Sequence, residues 1–248
     1  MENWDLATIM NRVWFYEFEL PDGTFTRTNL PPEILRIHNS RREKLRRIIR
    51  DHVGQAKELT ALDVASHEGY FTIELAQHFA EVHGVEIRTE SLDASKQISR
   101  ALGVSNVRFT QADFTQMRFD PSLEADFVLL YGLLYHLENP IYALRLASQL
   151  ARKHILVETQ IFPYDITGRL EDGYYLSQRG VQGVFSLSLD YPNGREGGST
   201  TVALVPSLNA LLFLMREFGF RDVQVIKPDV DDYEQFRRGS RVVVLGSK

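Results

Sequence analysis

The 248-residue sequence predicts an α/β fold: a seven-stranded, mostly parallel sheet with helices on both faces and an antiparallel last strand. Two observations carry this. Between residues 58 and about 162, short apolar runs alternate strictly with segments of helical periodicity, the pattern of a parallel sheet with crossover helices. Near the end, two further strand runs follow one another with no helical pattern between them, so they pair antiparallel.

The elements divide into an N-terminal extension, residues 1–57, and a core, residues 58–248, carrying an insertion at about 163–205. In the extension, Val13 to Leu20 reads as an aromatic strand, and Pro21-Asp22-Gly23 is a turn signal. A basic amphipathic helix follows, ending near Gly54. In the core, Leu59 to Val64 is the first strand. The helix from Tyr70 to Phe79 lines up Phe71, Leu75 and Phe79 on one face. Glu81 to Ile87 is the second strand, and Ser91 to Leu102 is a helix closed by Gly103. Strands three and four are Val107 to Thr110 and Asp126 to Tyr131. Pro140 opens a helix to Leu150, and His154 to Glu158 is strand five. From Tyr164 to Ser199 the chain is rich in Gly, Tyr and polar residues with poor periodicity, and reads as a lid-like excursion. Pro206-Ser207 starts a helix to Phe218, closed by Gly219. Val223 to Ile226 and Arg241 to Leu245 are the last two strands.

Composition removes several classes of function. No apolar stretch is long enough to span a bilayer, and the polar, acidic Met1-Glu-Asn-Trp-Asp5 is not a secretory leader. There is no cysteine, which excludes disulfides, thiolate nucleophiles and Cys-ligated zinc and fits a cytoplasmic location. Net charge is −5, against nucleic acid as the main partner. One basic run exists: Arg41, Arg42, Lys44, Arg46, Arg47 and Arg50. It reads more simply as the solvated face of a helix whose Leu45, Ile48, Ile49 and Val53 turn inward than as an RNA contact.

The chemistry concentrates at strand ends. The first strand runs into Asp63-Val-Ala-Ser-His-Glu-Gly69 and then a helix, whose free N–H groups can hold a carboxylate. Asp63, Ala65, Ser66, His67 and Gly69 are therefore candidate cofactor contacts. Glu86, at the end of the second strand, is placed to accept from two ribose hydroxyls. Asp113, after the third, can accept from an adenine amino group with Phe114 beside the ring, or can cap its own loop. Tyr131, ending the fourth, completes the set. The stretch Leu62 to Phe71 resembles the first motif of class I S-adenosylmethionine (SAM) methyltransferases, Asp-x-Gly-x-Gly-x-Gly, with Ala65 and His67 in place of two glycines. Ala65 reads as a nearly neutral exchange and His67 as one that rearranges the loop near the methionine moiety. The spacing does not match Gly-x-Gly-x-x-Gly of nicotinamide dinucleotide sites. The resemblance implies a Rossmann-like sheet and SAM as cofactor.

Leu130-Tyr-Gly-Leu-Leu-Tyr-His-Leu137, then Asn139-Pro140, resembles the stretch after strand four in many small-molecule methyltransferases. It is more similar still to the family around the tRNA wobble-uridine carboxymethyltransferase. Trp14 to Gly23 and Pro206 to Phe220 extend that resemblance over nearly the whole chain. It implies that Tyr135 lines the methyl-transfer pocket. His136 is the candidate base for an acceptor that must shed a proton, with a structural histidine as the alternative. Tyr16 and Phe15 could close over the cofactor or simply be core. Glu158 could orient a substrate or cap a turn. Tyr164, Tyr174, Tyr175 and Arg179 in the insertion are candidate substrate contacts. No His/Asp/Glu pattern has metal spacing. The expected reaction is methyl transfer to oxygen or nitrogen of a small-molecule acceptor. The alternatives are a tRNA wobble-uridine alkyltransferase using SAM or carboxy-SAM, and a non-catalytic SAM-binding partner or sensor. No membrane partner is expected, and the oligomeric state stays open, a homodimer included.

Overall fold

The computed structural model describes residues 6–169, 180–191, 197–198 and 200–248. The elements in chain order are α1 (Leu6–Asn11), β1 (Val13–Trp14), β2 (Arg27–Thr28), α2 (Pro32–His52), β3 (Thr60–Val64), α3 (Tyr70–Ala76), β4 (Glu81–Glu86), α4 (Thr89–Ala101), β5 (Val107–Gln111), β6 (Ala125–Tyr131), α5 (Pro140–Leu150), β7 (Ala151–Gln160), β8 (Thr167–Arg169), β9 (Gly180–Gln182), β10 (Phe185–Leu189), β11 (Val202–Pro206), α6 (Leu208–Glu217), β12 (Asp222–Ile226), α7 (Glu234–Arg237) and β13 (Arg241–Ser247). The main sheet has seven strands in the order β12-β13-β7-β6-β3-β4-β5. The pairs β6–β3, β3–β4 and β4–β5 are parallel. β13 is antiparallel to both β7 and β12. This is the expected Rossmann-like, mostly parallel α/β fold with its antiparallel last strand. The chain divides into two compact units, one up to Leu129 and one from Leu130. The division falls inside β6, whereas the sequence pattern sets residues 1–57 apart.

In the first unit, β3 buries Ala61, Leu62, Asp63 and Val64 in succession, as a strand covered on both faces must. The N-terminal segment differs from the expected long strand: only Val13 and Trp14 pair in a ladder, with β2. The following backbone takes side-chain partners instead. Phe15 and Tyr16 donate their N–H groups to Glu68 Oε2, at 2.8 and 3.2 Å, and Phe18 donates to Thr26 Oγ1 at 2.9 Å. Trp14, Phe15, Tyr16, Phe18 and Leu20 are all buried.

The basic helix α2 also departs from its simple reading. Leu45, Ile48, Ile49 and Val53 are buried as expected, but so are Arg41 and Lys44. The Arg41 guanidinium lies 5.3 Å from the Phe71 ring centre. Arg46 grips the buried Glu74 with Nε and Nη2, at 2.6 and 2.8 Å. The face is therefore partly interior, with Arg41 beside a ring and Arg46 on a buried acid.

In the second unit, β13 buries Val242 to Leu245, and α6 is capped by Ser207, which accepts from the Ala210 N–H. Gly219 ends that helix at φ 102°, a left-handed position that favours glycine. The excursion holds more strand than expected. β8 pairs with β9, and β10 with β11, both antiparallel. The alternation Phe185-Ser-Leu-Ser-Leu189 is the period-two signal for β10. Among the described residues, no helix is long and apolar enough to cross a membrane.

Candidate active site

The loop between β3 and α3 keeps a glycine-like backbone with only one of the glycines. Ala65 has φ 59°, His67 φ 50° and Gly69 φ 81°, so every second residue is left-handed. For L-residues that conformation costs about 1–2 kcal/mol each, so Ala65 is not a neutral exchange. Hydrogen bonds hold the loop against the strain. Ser66 N–H donates to the Val85 carbonyl at 3.0 Å, and Gly69 N–H to the Ser66 carbonyl at 2.8 Å. His67 N–H donates to Glu86 Oε2 at 2.9 Å. The His67 ring centre lies 4.8 Å from Phe15 and 5.5 Å from Tyr16, and Tyr16 stacks on Tyr70 at 4.7 Å. Gly69 has no room for a side chain, since a Cβ there would meet Ser95 Cβ at 2.9 Å.

Three acids stand at successive strand ends of this unit. Asp63, at the end of β3, is 3% exposed and accepts from Thr72 Oγ1 at 2.6 Å. Burial pushes its carboxyl up to about 7, the nearby Glu86 adds to the rise, and Thr72 and Arg41 oppose it. Glu86 is 2% exposed and spans two turns, with Oε2 on His67 N–H and Oε1 on Arg88 N–H at 2.9 Å. Each oxygen keeps capacity for a further donor. Ala112 N–H donates to the Glu86 carbonyl at 3.0 Å, which sets Asp113 and the buried Phe114 beside it. Asp113 Oδ1 accepts from Thr115 N–H and Oγ1, at 2.9 and 2.6 Å, an Asx turn that leaves Oδ2 outside the turn. A positively charged amino-acid head beside Asp63, hydroxyl donors at Glu86 and an amino donor at Asp113 would suit this donor set, so the residues fit SAM. Glu68 had no sequence signal. It is 1% exposed and receives the Phe15 and Tyr16 N–H groups, fastening the aromatic segment to the loop.

The second unit gathers the other candidates. Tyr131 is buried at the end of β6. Gly132, at φ 74°, donates its N–H to the Glu158 carbonyl at 3.0 Å and leads into a single 3-10 turn, Leu134–His136. The rings of Tyr135 and His136 lie 4.2 Å apart. Glu158 is fully buried, and its Oε1 accepts from Arg241 Nη1 at 2.6 Å. The same Nη1 donates to the Tyr135 hydroxyl at 3.1 Å, and the guanidinium lies 4.8 Å from the Tyr135 ring centre. Although burial opposes its charge, Glu158 and Tyr135 raise the Arg241 pKa further. Arg241 carries no local sequence signal of its partner beyond being a charge that opens an apolar strand; the register of β13 on β7 brings it near Glu158. His136 Nδ1 lies 3.1 and 3.2 Å from the two Asp190 oxygens. Tyr164 is 71% exposed. Tyr174, Tyr175 and Arg179 lie outside the described residues.

Residues 55–161 match the family model described as a methyltransferase domain. An 81-residue stretch is 30% identical to the 23S rRNA (uracil(747)-C(5))-methyltransferase RlmC of Vibrio vulnificus (strain YJ016). That match covers 33% of this chain and spans only 22% of the length of the curated relative. Among solved structures, the N-terminal domain of EvdMO1 with S-adenosylhomocysteine (SAH) bound superposes with TM-score 0.72 at 19% identity, covering 97% of this chain and 93% of that one. The same domain in the presence of SAH and D-fucose gives 0.69 over the same shares, also at 19% identity. Magnesium protoporphyrin IX methyltransferase (ChlM) from Synechocystis PCC 6803 with bound SAH gives 0.60 at 14% identity, covering 89% of each chain. Residues 55–161, which carry β3 to β7, are thus similar to a methyltransferase domain, and the fold is shared with these solved structures.

Proposed function

We propose that the chain is a SAM-dependent methyltransferase acting on an oxygen or nitrogen of a small-molecule acceptor. The observation that carries this reading is the left-handed loop at residues 65, 67 and 69, with Asp63 and Glu86 buried on either side of it. Asp63 would face the ammonium of the methionine part, Glu86 the ribose hydroxyls, and Asp113 with Phe114 the adenine. When bound, the cofactor supplies an electrophilic methyl group on a sulfonium. His136 then accepts the acceptor's proton, while Tyr135, held by Arg241, lines the acceptor side. Glu158 acts through Arg241 rather than on substrate.

A small acceptor is favoured over RNA by the state of α2. Arg41 and Lys44 are buried, Arg46 is engaged by Glu74 and Arg50 by Asp51, so the run offers few cations to a phosphate backbone. The solved relative studied with SAH and D-fucose supports an acceptor of hydroxyl chemistry and similar size. Calorimetry with SAM tests the cofactor: affinity in the micromolar range is expected, and no heat at millimolar ligand rejects the reading. Incubation with a panel of hydroxylated and aminated metabolites, and separately with total tRNA, followed by SAH release, tests the acceptor. Turnover on tRNA alone would replace the small-molecule reading.

A further inference from the structure

We propose that Asp190, on the insertion, is a positioning residue for His136: it holds the imidazole proton on Nδ1 and leaves Nε2 to take the acceptor's proton. The inference rests on the reading of His136 as base and adds the residue that gives it the right tautomer. Both Asp190 oxygens lie within hydrogen-bond reach of His136 Nδ1, at 3.1 and 3.2 Å. The pair is largely withdrawn from water, with side chains 16% and 12% exposed. The carboxylate is itself fixed. Gly198 N–H donates to Oδ2 at 2.7 Å, and Asp190 N–H donates to the Thr201 carbonyl at 2.9 Å, continuing the β10–β11 ladder. Leu204 N–H, on β11, donates to the Leu137 carbonyl at 2.9 Å and anchors the hairpin beside the turn that carries His136. The approach leaves no slack, because a Cβ on Gly198 would lie 2.1 Å from the His136 carbonyl oxygen. Burial raises the Asp190 carboxyl, but the Gly198 N–H and His136 outweigh it and hold the group below its ordinary value, ionised at neutral pH.

An ionised carboxylate is acceptor-only. Facing Nδ1, it requires a donor there, so the neutral ring carries its proton on Nδ1 and its lone pair on Nε2. In the transfer step the acceptor's proton moves to Nε2 and the freed lone pair on oxygen or nitrogen forms the bond to the methyl carbon. The carbon–sulfur pair returns to sulfur, which becomes a thioether. The imidazolium so formed is stabilised by Asp190 without a second proton transfer. Asp190→Asn is nearly isosteric but reverses the logic. Its one oxygen is claimed by Gly198 N–H, which puts the amide nitrogen at the Oδ1 position, the nearer of the two to Nδ1. Nδ1 must then accept, and the proton moves to Nε2. The same exchange in the Ser-His-Asp triad produces the wrong tautomer and a large loss of rate.

The test is nitrogen–proton NMR of the full chain labelled at histidine, without ligand, at a pH where imidazole is neutral. His136 is assigned by the signal lost in His136→Gln. The Nδ1–H tautomer is expected in the wild type, the Nε2–H tautomer in Asp190→Asn, and recovery of Nδ1–H in Asp190→Glu. An Nε2–H tautomer in the wild type, which needs no variant to fold, would overturn the proposal, as would an unchanged tautomer in a folded Asp190→Asn. Calorimetry with SAM runs beside it. Loss of SAM binding in every form with the tautomers as expected would reject the methyltransferase reading and leave the Asp190 assignment standing.

Discussion

Asp63→Asn tests the electrostatics of the β3–α3 loop without any acceptor. Asp63 is 3% exposed, and its carboxyl moves from 3.8 to about 7, chiefly by burial. For an acid raised in the folded state, the native form binds its proton more tightly than the unfolded chain. Folding is therefore uncharged for this residue below pH 3.8, becomes costlier as pH rises from there to about 7, and is constant above. A shift of roughly 3 units at 1.36 kcal/mol per unit makes the full cost about 4 kcal/mol. Asparagine keeps the acceptor for Thr72 Oγ1 and removes the titration. In urea melts of both forms, the stability of Asp63→Asn relative to wild type should grow by about 3 kcal/mol between pH 5 and pH 8. Titrating groups not coupled to Asp63 cancel in the difference. On the proposed reading the same proton governs the ligand: an ammonium beside Asp63 would stabilise its ionised form, so SAM affinity should rise up to about tenfold per pH unit below 7 and level off above. A stability difference between the two proteins that stays flat from pH 5 to 8 would refute the reasoning, because no other cause of the shift is titratable in one form alone.

Arg241→Met should leave Glu158 buried without its Arg241 counter-charge and cost about 3–5 kcal/mol by denaturant melt, most of it recovered in Arg241→Met/Glu158→Leu; a single variant within about 1 kcal/mol of wild type contradicts the pairing. Glu68→Ala strands the Phe15 and Tyr16 N–H groups in a buried setting, an expected loss of about 2–4 kcal/mol, and faster amide exchange at those two residues is the local check. Unchanged exchange there would sink it. Gly198→Ala should leave SAM affinity within about twofold while lowering methyl transfer at least about tenfold, since a Cβ must displace the loop from His136; full activity would mean that the Asp190 segment is not needed in that position.

Legibility followed sequence distance. β3, β4, β6 and β13 could be read because each is a run of a few residues whose burial is written in its own apolar pattern. The antiparallel end followed from the absence of a crossover helix. The residues that complete the two clusters were not readable that way. Glu68 reaches Phe15 across 53 positions, Asp190 reaches His136 across 54, and Arg241 reaches Glu158 across 83. A polar side chain on a short irregular segment has the same local signature whether it faces water or a buried partner. Only the fold decides, which is also why Arg41 and Lys44 read as solvated and are buried. The insertion is the exception: its Phe185 to Leu189 alternation is local, but Gly-rich sequence on both sides masks it.

The glycine motif makes the same point from the other direction. Gly-x-Gly-x-Gly is a proxy for a physical quantity, a left-handed φ at alternate residues. Here the quantity is kept at 65, 67 and 69 while the proxy survives only at 69. Strain of about 1–2 kcal/mol at each of two residues persists only where the surroundings over-determine the backbone. They do so here with the Glu86 carboxylate on His67 N–H, the Val85 carbonyl on Ser66 N–H, and the His67 ring between Phe15 and Tyr16. A glycine at 67 could make the first of these contacts but not the last. His67 therefore does more than fill a glycine position: it ties the β3–α3 loop to the aromatic segment that Glu68 already holds, so that one tripeptide, His67-Glu68-Gly69, shapes the loop and fastens that segment to it.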